Sequence, residues 1–300
     1  MVAGAGATAA RPHASDVRLV AQRSGTTALL QDVSAVDASV VWVGGHSATW
    51  VVTTDGGAHW RSAAMPNADS LEFRDVHAVS ARTAFLLSSG PGDRSRIYHT
   101  TDGGASWTLE FTAHDPKAFY DCFAFWDATH GVAVSDAVDG HFPVITTTDG
   151  AHWSPVSPTA LPRALPNEGA FAASGTCAMA LPPGDAWIGT GNGPAARVLR
   201  TGDRGATWDV TRTPLPADTS EGITSLAVRD ARHIVALGGH IARLRAFQDE
   251  VAITERRRPH VDDGRPASLP RPGVRCRLFA LLRPLVGGGR TGRRGRVQGR

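Results

Sequence analysis

Acidic side chains begin the first predicted strand of successive units in this 300-residue chain, where they could act in pairs. These residues are Glu72, Asp75, Asp121, Glu168 and Glu221. Two carboxyl groups about 5 to 10 Å apart can hydrolyse a glycosidic bond, one protonating the leaving oxygen and the other acting as nucleophile or base. Asp75, Asp121 and Glu168 are therefore the catalytic candidates. Acidic residues also form turns at strand entries, and that alternative stays open.

A second group of polar residues lies in residues 135–142 (SDAVDGHF), where Asp136, Asp139 and His141 share one predicted turn. Carboxylate and imidazole groups this close could hold a cation or a polar ligand. A hydrogen-bonded turn explains the same residues. We predict a binding loop here, because loops on a rigid scaffold often carry function. No resident metal and no cofactor are predicted.

The three cysteines, Cys122, Cys177 and Cys276, lack the C-x-x-C spacing of zinc sites and redox pairs. Cys122 and Cys177 lie in apolar runs. Because a free cysteine packs as a small hydrophobe, the sequence predicts buried thiols.

A short motif recurs in four copies: TTDGGAHW from Thr53, TTDGGASW from Thr100, TTDGAHW from Thr147 and TGDRGATW from Thr201. The motif aspartates are 47, 47 and 54 residues apart. In a tight turn the aspartate accepts backbone N–H groups, glycine supplies left-handed backbone and tryptophan buries its ring. The motif thus indicates a structural turn, in which these residues are predicted to stabilise the fold: Asp55, Trp60, Asp102, Trp107, Asp149, Trp153, Asp203 and Trp208.

Predicted strands precede each copy of the motif. Runs such as residues 40–45 (VVWVGG) and 83–90 (TAFLLSSG) are apolar or alternating and end in glycine. A fifth unit repeats such runs at residues 223–228 and 233–239. Short strands with one Gly/Trp motif per period predict an all-β propeller over residues 17–254, with about five visible blades and six or seven in the complete form. A solenoid or a sandwich is the alternative fold.

The T-x-D-G-G-x-[ST]-W copies resemble the Asp-box, or bacterial neuraminidase repeat, of sialidases, some endoglucanases and sortilin-type receptors. The longer cadence D-V-x-A-V, A-W-V-G-G, T-T-D-G-G-x-x-W more closely resembles the photosystem II assembly and stability factors, which have many bacterial relatives outside photosynthesis. This resemblance implies a non-enzymatic propeller that binds a partner protein during assembly of a membrane complex, outside the cytoplasm. An arginine patch often makes that contact, and Arg94 and Arg96 are the candidates here.

A glycoside hydrolase of the sialidase or endoglucanase kind is the alternative function. The F/Y-R-I-P motif of sialidases is absent, since FRDV at Phe73 lacks the Ile-Pro pair. Only Tyr98 and Tyr120 are available as tyrosine nucleophiles. A hydrolase would therefore use the carboxylates at the blade rim.

The C-terminal part of the chain has a different composition. Residues 241–300 carry 15 basic and 5 acidic side chains, whereas residues 1–240 carry 16 and 23. Reading the codons from Glu255 to Asp263 one nucleotide later permits S-D-G-G-R-T-W, which completes a fifth motif after Thr254. We therefore predict that the Arg-rich residues 255–300 are disordered and translated out of frame. A nucleic-acid-binding arm is the alternative, and no nucleic-acid partner is expected.

Residues 1–16 are predicted to be disordered or the remnant of a signal peptide, because they lack a basic start and a leucine-rich core. No window approaches the roughly 18 consecutive apolar residues of a spanning helix, so no membrane insertion is predicted. The protein is expected to be a monomer.

Overall fold

The computed structural model describes residues 19–173, 175–243 and 250–254, together with the backbone of residues 276–278. It is an all-β propeller of Asp-box blades with five four-stranded sheets, which confirms the predicted fold class. The helices of the described part are two short 3-10 turns, Gly92–Arg94 and Pro158–Ala160. In those ranges, no helix is long and apolar enough to cross a bilayer.

Each sheet is an antiparallel meander of strands that follow one another along the chain. Sheet 1 contains β1 (Leu30–Ala35), β2 (Val41–Gly45), β3 (Thr49–Thr53) and β4 (Arg61–Ala64). Sheet 2 contains β5 (Phe73–Ala78), β6 (Ala84–Ser88), β7 (Arg96–Thr100) and β8 (Thr108–Thr112). Sheet 3 contains β9 (Tyr120–Phe125), β10 (Gly131–Ser135), β11 (Val144–Thr147) and β12 (Trp153–Pro155).

The last two sheets follow the same order. Sheet 4 contains β13 (Ala178–Leu181), β14 (Asp185–Gly189), β15 (Arg197–Thr201) and β16 (Asp209–Arg212). Sheet 5 contains β17 (Glu221–Asp230), β18 (His233–His240), β19 (Val251–Thr254) and β20 (Cys276–Leu278). The order of pairing is therefore that of a radial blade in all five sheets.

The first strands of neighbouring sheets contact one another: β1 with β5, β5 with β9, β9 with β13 and β13 with β17. These strands therefore line the centre of the propeller. The apolar core lies between the sheets, with Trp42 and Tyr98 in the cluster of sheets 1 and 2, and Trp187 and Ile223 in the cluster of sheets 4 and 5. Burial of such large side chains is the main stabilising contribution to the fold.

Asp-box turns join the third and fourth strands of sheets 1 to 4. In the second turn, Thr100 Oγ1 donates to Asp102 Oδ1 and accepts the Gly104 N–H, both at 2.9 Å. Asp102 Oδ1 also accepts the Ser106 N–H at 2.9 Å. Hydrogen bonds from Ser106 hold the pKa of the Asp102 carboxyl well below its ordinary range. The other three turns contain the same bond from threonine to aspartate.

The entry to sheet 4 differs from the sequence prediction. Residues 170–181 (AFAASGTCAMAL) form an apolar run that predicts a strand from Ala170, but β13 begins only at Ala178. Gly175 has a φ of +66°, and a Cβ there would lie 2.8 Å from Asp32 Oδ2. The left-handed backbone at Gly175 interrupts the strand. The residues before it therefore form a loop that passes close to the inner strands of sheets 1 and 2.

Cys122 and Cys177 are buried as predicted, but the prediction of thiols is wrong, because these residues form a disulfide. Cys122 lies in β9 and Cys177 immediately precedes β13, and these inner strands of neighbouring sheets contact each other. The two Cα atoms are 6.2 Å apart, although 55 residues separate the cysteines along the chain. The bond thus joins sheets 3 and 4 at the centre of the propeller.

The predictions for the two ends of the chain fall largely outside the described residues. Residues 1–16 lie outside them, as do residues 255–300 apart from β20. The backbone of β20 pairs with β19 in antiparallel register, Ala252 opposite Leu278.

Candidate functional site

The propeller has two faces that differ in their loops. The box face carries the Asp-box turns and the loops between first and second strands, which are joined by bonds such as Gly103 N–H to Arg82 O at 2.8 Å. The opposite loop face carries the loops between second and third strands and the connections between sheets. All the predicted catalytic and binding residues lie on the loop face or on the strand ends next to it.

Asp75 is buried at the centre of the propeller, opposite Asp32. Asp75 Oδ2 accepts the Phe123 N–H of sheet 3 at 2.8 Å, and Asp32 Oδ2 accepts the Val76 N–H of sheet 2 at 2.8 Å. Burial raises the pKa of Asp75 well above its ordinary value and that of Asp32 to about 6. Burial therefore favours the protonated, neutral form of a carboxyl in this pair, and both side chains connect neighbouring sheets.

Asp121, which is buried, and Asp136, which is half-buried, form a second pair. Burial raises the pKa of Asp121 well above its ordinary value, with a bond from the Ala172 N–H opposing it. Burial likewise raises the pKa of Asp136 to about 6, and its Oδ1 accepts the Ala170 N–H at 3.1 Å. Asp136 thus lies beside a carboxyl group inside the protein and connects sheet 3 to the loop before sheet 4.

The Asp32–Asp75 pair makes the stability depend on pH in a direction that can be measured. The pKa of Asp32 is 3.8 in a model peptide and about 6 in the fold, so the folded state binds the extra proton between these values. The contribution of Asp32 to the free energy of unfolding therefore falls as pH rises through that window. The fall is about 1.4 kcal/mol for each unit by which folding raises the pKa. We expect Asp32→Asn, which retains an acceptor for the Val76 N–H but cannot ionise, to remove this fall in stability between pH 3.8 and about 6.

Urea unfolding at a series of pH values measures this effect. The matched control is Asp37→Asn, because hydrogen bonds from Ser39 lower the pKa of the exposed Asp37 and the substitution should destabilise the protein above pH 3.8. If Asp32→Asn has the same pH slope as the parent chain, burial does not raise the pKa of Asp32.

Glu168 is buried on the connection into sheet 4, and all its bonds are to the fold. Its carboxylate accepts the Leu165 N–H at 2.8 Å, the Thr190 hydroxyl at 2.6 Å and Arg197 Nε at 2.8 Å. The Glu168 side chain is 0% exposed and that of Arg197 is 11% exposed. This carboxylate is therefore the anchor of a connection between sheets.

The loop before β13 extends over the centre of the loop face. Gln31 Nε2 donates to Ala173 O at 3.0 Å, and Arg74 Nη1 donates to Ala172 O at 3.4 Å. Arg74 is held in turn by Glu72, whose Oε2 lies 2.6 Å from Arg74 Nη2. Side chains of sheets 1 and 2 thus hold a loop of sheet 4 above the buried carboxyl pairs.

The three residues predicted as one ligand group face three different partners. Asp139 accepts from Lys117 Nζ at 2.9 Å, and His141 Nε2 lies 2.8 Å from Arg163 Nη1. Asp136 faces the buried carboxyl described above. Within the described ranges, no three histidine, cysteine or acidic side chains are grouped as metal ligands.

Four cationic side chains, three of them exposed, follow the same face across sheets 2 and 3. Arg94 Nη2 donates to Ser70 O at 2.6 Å, and Arg96 Nε donates to Asp93 O at 2.5 Å. Arg94 is exposed and Arg96 is half-buried. We call this set the cationic rim; it comprises Arg94, Arg96, Lys117 and Arg163.

Sequence reasoning did not single out several residues that shape this face. Asp32 has a detectable signal, because DVSAV and DVHAV place an aspartate at the same position of two units. Gln31, Lys117, Arg163 and Arg197 have none, since their partners are distant in the chain and belong to irregular loops.

No protein-family model and no curated protein matches the chain. Among solved structures, the chain is similar to a GH74 xyloglucanase from Xanthomonas campestris, at 15% identity and a TM-score of 0.52, over 80% of this chain and 37% of that one. It is also similar to YCF48 bound to D1 peptide, at 18% identity and a TM-score of 0.37, over 71% of this chain and 77% of that one.

A third similar structure is the NanB sialidase from Streptococcus pneumoniae, at 10% identity and a TM-score of 0.42, over 66% of this chain and 32% of that one. The chain therefore spans about a third of the two enzymes' length. At these identities the likeness concerns the fold. The chain is thus a β-propeller with Asp-box turns, similar in fold to the xyloglucanase.

Proposed function

We propose that this propeller is a non-enzymatic protein-binding module that contacts its partner through the loop face. One observation carries the proposal. The carboxylates suited to catalysis, Asp75, Asp121 and Glu168, are buried, whereas three of the four side chains of the cationic rim on the same face are exposed. A face of this kind favours recognition by charge over chemistry on a substrate.

The loops that carry the cationic rim are joined to one another. Gly92 N–H donates to Ala118 O at 2.8 Å, and Ala164 N–H donates to Gly140 O at 3.1 Å. Backbone bonds between neighbouring loops fix the spacing of the side chains before a partner arrives. Such pre-organisation lowers the entropy cost of binding. The partner class that fits is a protein segment with acidic side chains.

On the basis of the sequence resemblance, the proposed partner belongs to a membrane complex under assembly. The propeller is further proposed to act as a monomer outside the cytoplasm. The disulfide between Cys122 and Cys177 supports that compartment, because disulfides persist in oxidising environments.

The hydrolase alternative needs two accessible carboxylates about 5 to 10 Å apart. Asp75 and Asp121 are 4% and 2% exposed, and each lies beside a second carboxyl group, that of Asp32 or Asp136. They lie beneath the loop that Gln31 and Arg74 hold. A substrate would have to displace that loop before reaching them.

Binding of the full chain to short synthetic peptides graded in Asp and Glu content tests the proposal. We expect affinity to rise with acidic content, and the double variant Arg94→Glu with Lys117→Glu to weaken binding at least about tenfold. Arg82→Glu is the matched control, because Arg82 is an exposed arginine on the box face. Its binding should equal that of the parent chain.

Equal binding by all three proteins would refute the loop-face proposal. Turnover of xyloglucan or a sialoside by the parent chain, lost in Asp75→Asn and Asp121→Asn variants that remain folded, would favour the hydrolase instead.

A further inference from the structure

A cavity of about 100 Å³ lies between sheets 4 and 5. Its walls are apolar except for one arginine and two threonines. The residues that matter here come from facing surfaces of the two sheets: Trp187, Val198 and Arg200 on sheet 4, and Ala236, Ala252 and Thr254 on sheet 5.

The cavity wall formed by sheet 4 includes a pair of residues on its second and third strands. An equivalent pair is present in each of sheets 1 to 3. Trp187 of β14 is paired with Arg200 of β15, next to the pair that includes the box threonine. The same register position is held by Trp42 with Val52 in sheet 1, Phe85 with His99 in sheet 2 and Val132 with Thr146 in sheet 3. We call this position the box seat.

The seat of sheet 1 is covered by the Asp-box of sheet 2. The Trp107 ring lies 6.0 Å from that of Trp42 and 5.7 Å from that of Trp50, measured between centroids. A Cβ on Gly104 would lie 2.6 Å from the Trp50 ring, so the turn packs directly on it. Arg61 lies over the same ring at 4.7 Å and donates to the box.

The next two seats are covered in the same way. A Cβ on Gly150, in the box of sheet 3, would lie 3.0 Å from the Phe85 ring of sheet 2. A Cβ on Gly205, in the box of sheet 4, would lie 3.0 Å from Thr146 Cγ2 of sheet 3. The boxes of sheets 2, 3 and 4 therefore each pack against the preceding sheet.

The box seat of sheet 4 borders the cavity, whereas those of sheets 1 to 3 are covered by a box. Strand β19 ends at Thr254, the position that a box threonine occupies in the other sheets. Thr254 Oγ1 donates to Arg232 O at 2.6 Å and accepts the Ile234 N–H at 3.0 Å, whereas box threonines bond their own aspartate. Arg200 lies over the Trp187 ring at 5.9 Å.

We infer that this cavity is the seat of a fifth Asp-box and binds a Thr-x-Asp-Gly-Gly-x-x-Trp turn. The occupant is T-S-D-G-G-R-T-W, the segment that the shifted reading of residues 255–263 permits after Thr254. Its tryptophan would enter the apolar cavity, as Trp107 approaches Trp42 in sheet 1. A glycine of the turn would pack on Trp187, as Gly150 packs on Phe85 at the same register position of sheet 2. An aromatic side chain in such a site contributes mainly by its buried area.

Isothermal titration of the full chain with the synthetic peptide TSDGGRTW tests this inference. We expect saturable binding that raises the midpoint of thermal unfolding. The same peptide with alanine in place of tryptophan should bind at least about tenfold more weakly. Ala236→Trp, which fills the cavity, should abolish binding. Ala227→Trp is the matched control, because Ala227 is exposed on the opposite surface of sheet 5.

Absence of binding, equal binding of the two peptides, or undiminished binding to a folded Ala236→Trp chain would each overturn the inference. The peptide comparison uses the parent chain and therefore holds even if Ala236→Trp does not fold. Analytical sedimentation of the full chain with and without peptide then measures the oligomeric state. If the peptide dissociates a dimer, the occupant is a box of a second copy and the assignment to the shifted frame is wrong.

Discussion

Glu168→Gln is expected to lower the free energy of unfolding by about 3–5 kcal/mol. The substitution keeps the size of the side chain but removes the charge that balances Arg197, which is 11% exposed. It also brings a donor toward a site that already receives donors from Leu165, Thr190 and Arg197. Breaking one half of a buried pair costs far more than the pair contributes, because the remaining charge stays desolvated. Urea unfolding followed by circular dichroism measures the change.

The control for this prediction is an ion pair on the same face that is exposed to solvent. Lys117 and Asp139 are 64% and 75% exposed, and Asp139→Asn should change the free energy of unfolding by at most about 1 kcal/mol. Asparagine also tolerates the positive φ of 50° at this position. A loss for Glu168→Gln as small as that for Asp139→Asn would mean that the buried pair does not anchor the connection into sheet 4.

Removing the disulfide is expected to destabilise the protein by about 2–4 kcal/mol. The bond between Cys122 and Cys177 closes a loop with a sequence separation of 55, which restricts the unfolded chain. Both residues are 0% exposed, so the double variant Cys122→Ala with Cys177→Ala also leaves some unfilled volume. Urea unfolding of the parent chain with and without reductant measures the contribution of the bond itself.

The double variant provides the internal control for the reductant. Dithiothreitol should lower the midpoint of the parent chain toward that of the variant and leave the variant unchanged. A parent chain whose unfolding midpoint does not respond to reductant under unfolding conditions would show that the cysteines are not joined.

The blades could be predicted from the sequence because their determinants are local. A box such as residues 100–107 bonds within itself, from Thr100 to Asp102 and from the turn N–H groups to both side chains. The alternation of apolar residues likewise reports the two surfaces of a single strand. These signals survive in the linear chain, so the all-β propeller and its repeated units follow from them.

The environment of the carboxylates could not be predicted, because it depends on contacts between blades. Asp32 bonds the N–H of Val76 and Asp75 bonds that of Phe123, at sequence separations of 44 and 48. From the pattern alone, an acidic residue at a strand entry is equally suited to catalysis and to a turn. Only the packing of inner strands shows that these groups are desolvated and joined in pairs.

The sequence by itself determined the repeat, the Asp-box turns and the class of fold, since each rests on hydrogen bonds and periodicities within a few residues. Only the tertiary structure decided that Cys122 and Cys177 are bonded, that Glu168 pairs with Arg197 and that a cavity occupies the box seat of sheet 4. The physical reason is that neighbouring blades juxtapose residues that no local pattern relates. Burial and charge compensation are properties of that juxtaposition.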